Sequence, residues 1–122
     1  MRVLIADDSA VVRKRLVDLF DDLDDVEIVG EAEDARIARN LAEQLKPEVA
    51  ILDVVMPEGS GMDVLRFIKS SSPASKVIIL TNFVDDESRK ACVGQGADYF
   101  FDKSTEFEKV VTVLREMLSA NG

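Results

Sequence analysis

Four apolar runs in this sequence each stop at a residue with polar chemistry. Val3 to Ala6 ends at Asp7 and Asp8, Val49 to Leu52 at Asp53, Val77 to Leu80 at Thr81, and Tyr99 to Phe101, after Asp102, at Lys103. Unbroken Val/Ile/Leu runs are the mark of buried parallel strands, and ligand sites in open α/β sheets lie just beyond the carboxyl ends of such strands. If the four runs are parallel, three carboxylates, a hydroxyl and an ammonium converge on one small site. That set suits a divalent cation and a phosphoryl group. Like charges a few ångströms apart raise one another's pKa unless a cation compensates, and Mg2+ fits oxygen ligands of this kind best. Asp7 and Asp8 form an acid pair for the metal. Asp53, alone at the end of the central strand, is placed to act as a carboxylate nucleophile toward phosphorus. Lys103 offers a mobile point charge to phosphate oxygens, and the Thr81 hydroxyl can donate to one.

The elements that must position these groups alternate along the chain. Residues 2–6 read as a strand, and Ser9 starts a helical pattern on Val12, Leu16, Leu19, Phe20 and Leu23 that ends in the acidic turn Asp21 to Asp25. Val26 to Val29 read as a second strand. Asp34 caps a helix on Ile37, Ala38, Leu41, Ala42 and Leu45, which Pro47 ends, and Val49 to Leu52 is strand three. The Pro- and Gly-containing segment 56–61 is a loop, followed by a helix on Met62, Leu65 and Ile68. Lys76 to Leu80 form strand four, a helix runs from about Asp85 to Val93, and Gly94 and Gly96 close it. Tyr99 to Phe101 make a short fifth strand, and a last helix uses Phe107, Val110, Val111, Leu114, Met117 and Leu118. Five strands alternating with five helices predict a flavodoxin-like, doubly wound parallel sheet of order 2-1-3-4-5. In that order Asp7, Asp8 and Asp53 meet in one crevice, flanked by Thr81 and Lys103.

A chain of 122 residues with 47% hydrophobic content is read as a single domain over 1–122. The net charge of −9 argues against direct nucleic-acid binding, because no basic stripe exists to neutralise phosphates. No apolar stretch reaches the roughly 18 residues of a membrane span and no signal segment opens the chain, so the reading is a soluble, cytoplasmic protein. With Cys92 alone and no histidine, Cys/His zinc frameworks and Ser-His-Asp triads are excluded, and the chain cannot itself carry phosphohistidine.

The sequence resembles response-regulator receiver domains of two-component signalling over essentially its whole length. The resemblance is carried by Ile5-Ala6-Asp7-Asp8-Ser9, by Asp53-Val54-Val55-Met56-Pro57 with Gly61 four beyond the proline, by Leu80-Thr81, and by Lys103. It implies that Asp53 is the phosphoacceptor and that Asp7 and Asp8 bind Mg2+, with Asp53 and the main-chain carbonyl of Val55 adding ligands. It further implies transfer from a phosphohistidine on a sensor kinase or histidine phosphotransfer protein. On phosphorylation Thr81 would move to the phosphoryl group and Phe100, three before the lysine, would turn inward. The helix 4, strand 5 and helix 5 face would then dock an effector protein, and the chain would be a monomer or a phosphorylation-dependent dimer. The chain acts in this reading as a phosphoacceptor switch rather than an enzyme. The alternatives are a receiver-like scaffold that is never phosphorylated and a receiver segment of a longer regulator, since the sequence stops at Gly122 directly after the last helix.

Four departures from the family pattern matter. Ser104 replaces the usual proline after the lysine, and a cis bond before a non-proline residue costs about 2.5 to 4 kcal/mol, so Lys103–Ser104 is cis only if the site enforces it. Phe100 lacks the hydroxyl of the common tyrosine and must act by ring packing. Asn82 stands where a small residue usually follows the threonine. Val55 and Phe83 are apolar and cannot orient a hydrolytic water, which predicts slow self-dephosphorylation. Simpler readings compete: Asp7-Asp8 could merely cap the first helix, Thr81 could be a turn residue, and Lys103 a solvated surface cation. Leu16, Phe20, Leu41, Leu65, Val110, Leu114 and Met117 are expected core, and Cys92 a small buried hydrophobe. A phosphatase of the haloacid dehalogenase type would need an acid at Val55. A flavodoxin would need a Ser/Thr/Gly-rich loop where Asp7-Asp8-Ser9-Ala10 stands.

Overall fold

In the computed structural model, which describes residues 1–121, the five strands are β1 (Arg2–Ala6), β2 (Glu27–Ala32), β3 (Val49–Leu52), β4 (Lys76–Thr81) and β5 (Tyr99–Asp102). All pair in parallel in the order 2-1-3-4-5. Between and after them run α1 (Ala10–Phe20), α2 (Ala35–Leu45), α3 (Gly61–Ser71), α4 (Asp86–Gly94) and α5 (Lys109–Asn121). Gly122, the last residue of the expected single domain, lies outside the described residues.

Side chains alternate across the sheet with the period of two that a pleated strand imposes. Leu4, Ala6, Ala50, Leu52, Val77 and Ile79 face one layer, where Ala35, Ala38 and Ala42 of α2 and Val64, Leu65 and Ile68 of α3 cover them. Val3, Ile5, Val49, Ile51, Ile78 and Leu80 face the other, against Leu16 and Phe20 of α1 and Val110, Val113 and Leu114 of α5. Both faces of the three central strands are thus dry, which explains why those strands read as continuous apolar runs. Leu41 and Met117, expected in the core, are only partly buried at its margins.

Helix starts match side-chain caps: the Ser9, Asp34, Ser60 and Asp85 side chains accept from the backbone N–H groups of Val12, Ile37, Asp63 and Ser88. Where the structure differs from expectation, the cause is local. β2 runs three residues past Val29, through Gly30, Glu31 and Ala32, and a bulge shifts its register against β1 between Val3 and Leu4. As an edge strand it is partly exposed, so its apolar run breaks before the strand does. Leu23 lies in the turn after α1, its N–H bonded to the Phe20 carbonyl at 2.9 Å, and Phe107 precedes α5, so both are core residues outside helices.

Candidate functional site

The backbone ladder continues past the strand ends and fixes the polar residues there. Asp7 N–H donates to the Ala32 carbonyl (3.0 Å), Asp53 N–H to the Ala6 carbonyl (3.0 Å), and Lys103 N–H to the Thr81 carbonyl (2.8 Å). The β3–α3 loop is held against Asp53 by Gly61, whose N–H donates to the Val54 carbonyl at 2.8 Å. A Cβ on Gly61 would lie 1.9 Å from the Asp53 carbonyl oxygen, so only glycine permits this approach.

Three acids and one cation meet at this end of the sheet. Lys103 Nζ donates to Oδ2 of Asp53 and lies 2.7 Å from it and 2.7 Å from Oδ2 of Asp7. Asp7, Asp8 and Asp53 each offer a carboxylate oxygen within 4.8 Å of the others. Asp7 is 3% and Asp53 6% exposed, whereas Asp8 stands open to solvent. Asp7 Oδ1 accepts from Ser9 N–H at 2.8 Å, and Asp53 Oδ1 from Val55 N–H at 3.4 Å. The capping role that Asp7 and Asp8 could have filled belongs instead to Ser9, whose Oγ accepts from Val12 N–H at 3.2 Å. Lys103 is not a surface cation. Thr81 is fully buried at the end of β4, its Oγ1 accepting from Phe83 N–H at 3.2 Å.

The electrostatics follow from burial and from the count of charges. Burial pushes the Asp7 carboxyl above its ordinary value, and the negative charge of Asp53 adds to this, while hydrogen bonds from Lys103 and Ser9 hold it down only in part. Burial alone would pull the Lys103 ammonium down. Its bonds to Asp53 and Asp7 together with their charges outweigh that, and the net direction is up.

The remaining residues of interest sit around this centre. Val55 and Phe83 are each 51% exposed on the loops after β3 and β4, and Asn82 is exposed, its Oδ1 accepting from Ser104 Oγ at 3.3 Å. The Lys103–Ser104 bond is trans, in a turn tied by Ser104 N–H to Asp102 Oδ1 at 2.8 Å. Phe100 already points inward, buried in the layer under α3 and α4, while Tyr99 and Phe101 stack on the opposite face with centroids 5.9 Å apart. The Arg89 guanidinium lies 4.7 Å from the Phe100 ring centroid.

One residue at the site escaped the sequence reading. Arg13 of α1 donates from Nη1 to the Asp7 carbonyl at 2.6 Å and pairs through Nε with Glu31 Oε1 at 3.3 Å, tying β1, β2 and α1 together behind the acids. Its place one helical turn beyond Ser9 was the available signal.

Comparisons with known proteins agree with this geometry. The family model described as the response regulator receiver domain matches residues 3–115. An uncharacterized transcriptional regulatory protein of Bacillus subtilis, YhcZ, is 36% identical over 91% of this chain and 52% of its own length. A transcriptional regulatory protein of the same organism, YdfI, is 33% identical over 98% of this chain and 56% of its own. This chain therefore spans about half the length of the curated relatives it matches. Among solved structures, the response regulator domain of Thermotoga maritima CheB is 31% identical with a TM-score of 0.84, covering 98% of this chain and 94% of that one. The receiver domain of the putative response regulator NarL from Mycobacterium tuberculosis is also 31% identical with a TM-score of 0.84, covering 93% of each chain. With its sheet order, its crevice of three aspartates and one lysine, and a family match across nearly its whole length, the chain belongs to the response-regulator receiver domains of two-component systems.

Proposed function

We propose that the chain accepts a phosphoryl group on Asp53 from the phosphohistidine of a sensor kinase or histidine phosphotransfer protein. The observation that carries this reading is the Lys103 ammonium set 2.7 Å from both Asp53 and Asp7, with the Asp8 carboxylate beside them. The donor set fits a hard divalent cation: three carboxylates, each offering an oxygen within 4.8 Å of the others, face one ammonium. Asp7, Asp8, Asp53 and the Val55 carbonyl would hold Mg2+, which supplies neutralisation of the carboxylates and of the phosphoryl oxygens when bound.

In the transfer itself, an oxygen of Asp53 forms the new bond to phosphorus as the bond from phosphorus to the donor's imidazole nitrogen breaks. The electron pair of the broken bond stays on that nitrogen. Lys103 leaves Asp53 for a phosphoryl oxygen, a short movement for a flexible ammonium, and the Thr81 hydroxyl exchanges its bond from Phe83 N–H for donation to another. Thr81 carries the backbone after β4 with it. Because Phe100 is inward already, α4 and the Arg89 contact are the movable parts of the α4–β5–α5 face, which we assign to effector docking. The chain's span of half its relatives supports an effector domain as the partner, in the same polypeptide or another, with no direct nucleic-acid contact by this acidic stretch. No helix among the described residues is long and apolar enough to cross a membrane, and a cytoplasmic kinase domain would be the donor.

Incubation with acetyl phosphate and Mg2+ followed by intact mass tests the reading. One added phosphoryl group on the native chain and none on Asp53→Asn supports it. An unmodified native chain would leave the scaffold alternative in its place.

A further inference from the structure

Away from the acidic crevice, the structure holds a groove of about 800 Å3 between α2 and α3, of a size that ligand and peptide sites commonly have. None of Asp7, Asp8, Asp53, Thr81 and Lys103 lines it. Its walls carry Arg36 and Arg39 from α2 and Arg66 and Lys69 from α3, against two acids, Glu58 and Asp63. The whole chain has 24 Asp and Glu to 15 Lys and Arg, so this groove gathers positive charge on an otherwise negative protein.

The four cations are not equivalent. Lys69 Nζ is committed to Asp98 Oδ2 and the Ser75 carbonyl, each at 2.7 Å. Arg66 is shared between Asp63 Oδ1 at 3.3 Å and Gln95 Oε1 at 3.2 Å. Arg36 and Arg39, three residues apart and so on one face of α2, enter no carboxylate ion pair among the described residues. The Arg39 guanidinium lies 4.7 Å from the ring centroid of Phe67, which is itself only partly buried. A guanidinium over a ring keeps its edge N–H groups free for a carboxylate fork.

We propose that the α2–α3 groove docks an acidic segment of a protein partner, its carboxylates on Arg36 and Arg39 and an apolar side chain against Phe67. A short acidic segment needs favourable charge only within a Debye length of the arginines, which this groove supplies. A long polyanion such as RNA would meet the repulsion of the surrounding −9 chain. The proposal does not rest on phosphorylation of Asp53.

The test is an NMR titration of the 15N-labelled, unphosphorylated chain with a short glutamate peptide carrying one central phenylalanine. Shifts are expected at amides around Arg36, Arg39 and Phe67, weakening with added salt. Affinity should fall about tenfold or more in R36E/R39E, and comparably in the milder R36Q/R39Q should the first variant fold poorly. The same peptide with lysines should cause none. The proposal is overturned by no shifts at millimolar peptide, by shifts on another face, or by equal response to inorganic phosphate or a short RNA. It is overturned too by concentration-dependent self-association that R36E/R39E abolishes, which would give the groove to a second copy. A failure of acetyl phosphate to modify Asp53 leaves it standing.

Discussion

At the amino end of the sheet, Asp98 ahead of β5 lies 2.7 Å from Lys69 Nζ and 3.9 Å from Lys76 Nζ, and its Oδ2 also accepts from Val77 N–H at 2.8 Å. At the carboxyl end, Lys103 alone lies 2.7 Å from both Asp7 and Asp53, with Asp8 nearby. One carboxylate shared by two cations is a finished structural clasp. Two buried carboxylates and a third at the rim, sharing one ammonium, are short of positive charge. The difference separates a stability device from a receptive site within one sheet, because a cation deficit in a buried place is what a divalent ion or an incoming electrophile relieves.

Removing one lysine from each end should widen that contrast more than any other pair of changes. Lys103→Ala leaves Asp7 and Asp53 buried face to face, and breaking a buried pair this way costs about 3–5 kcal/mol. Lys69→Ala leaves Asp98 with Lys76 and the Val77 N–H, and should cost about 1 kcal/mol. Urea midpoints at unchanged slope, taken without divalent ions, measure both. Only the first variant should also lose acetyl phosphate labelling, by on the order of a hundredfold or more in rate. Equal losses of stability would erase the distinction between the two ends.

The next effect in size is that of Mg2+ itself. Saturation at 100 times its dissociation constant should stabilise the native chain by about 2.7 kcal/mol, read as a rise in melting temperature. Asp8→Ala and Asp53→Asn should each remove most of that rise, and Lys69→Ala none of it. A rise of full size in Asp53→Asn would move the metal away from the crevice.

The meeting of Asp7, Asp8, Asp53 and Lys103 was legible in the sequence because parallel strands buried on both faces write themselves as apolar runs. The residue after each run then marks a strand end. What escaped notice depends on long side chains and edges. Arg13 reaches back six residues to the Asp7 carbonyl, and its place one turn beyond Ser9 puts it on the right side of the helix without naming that partner. The far half of β2 is hidden because an edge strand with Gly30 and Glu31 breaks the apolar pattern. The inward seat of Phe100 under Arg89 needed the strand's parity and the packing of α4, which periodicity in a four-residue strand cannot supply. Gly61 was read as one member of a motif, whereas its structural reason is the 1.9 Å approach of a would-be Cβ to the Asp53 carbonyl.

The rim of the receptive end allows a smaller test. Val55 and Phe83 stand half exposed after β3 and β4, and neither side chain can orient a water by hydrogen bonding. Phe83→Glu should speed loss of the phosphoryl group by about tenfold, roughly 1.4 kcal/mol of barrier, timed after removal of acetyl phosphate. An unchanged or slower rate would show that water access at this rim is set elsewhere.

The smallest expected effect probes the charge deficit directly. The Asp7 carboxyl is raised from its ordinary value of 3.8, first by burial and also by Asp53, so the folded chain holds its proton more tightly than the unfolded one. A raised acid favours folding at low pH, and that contribution is lost as pH climbs from 3.8 through the folded value, leaving an ionised Asp7 unfavourable at neutrality. Asp7→Asn keeps the shape and drops the charge, while Lys103 retains Asp53. Without divalent ions the variant should therefore be more stable at neutral pH, with the gain shrinking as pH falls toward 4. It should also respond less to Mg2+, since a carboxylate is gone from the donor set. A variant less stable at neutral pH than the native chain would mean that the bond from Lys103 to Asp7 outweighs burial, and the deficit would then have to be placed on Asp8 and Asp53 alone.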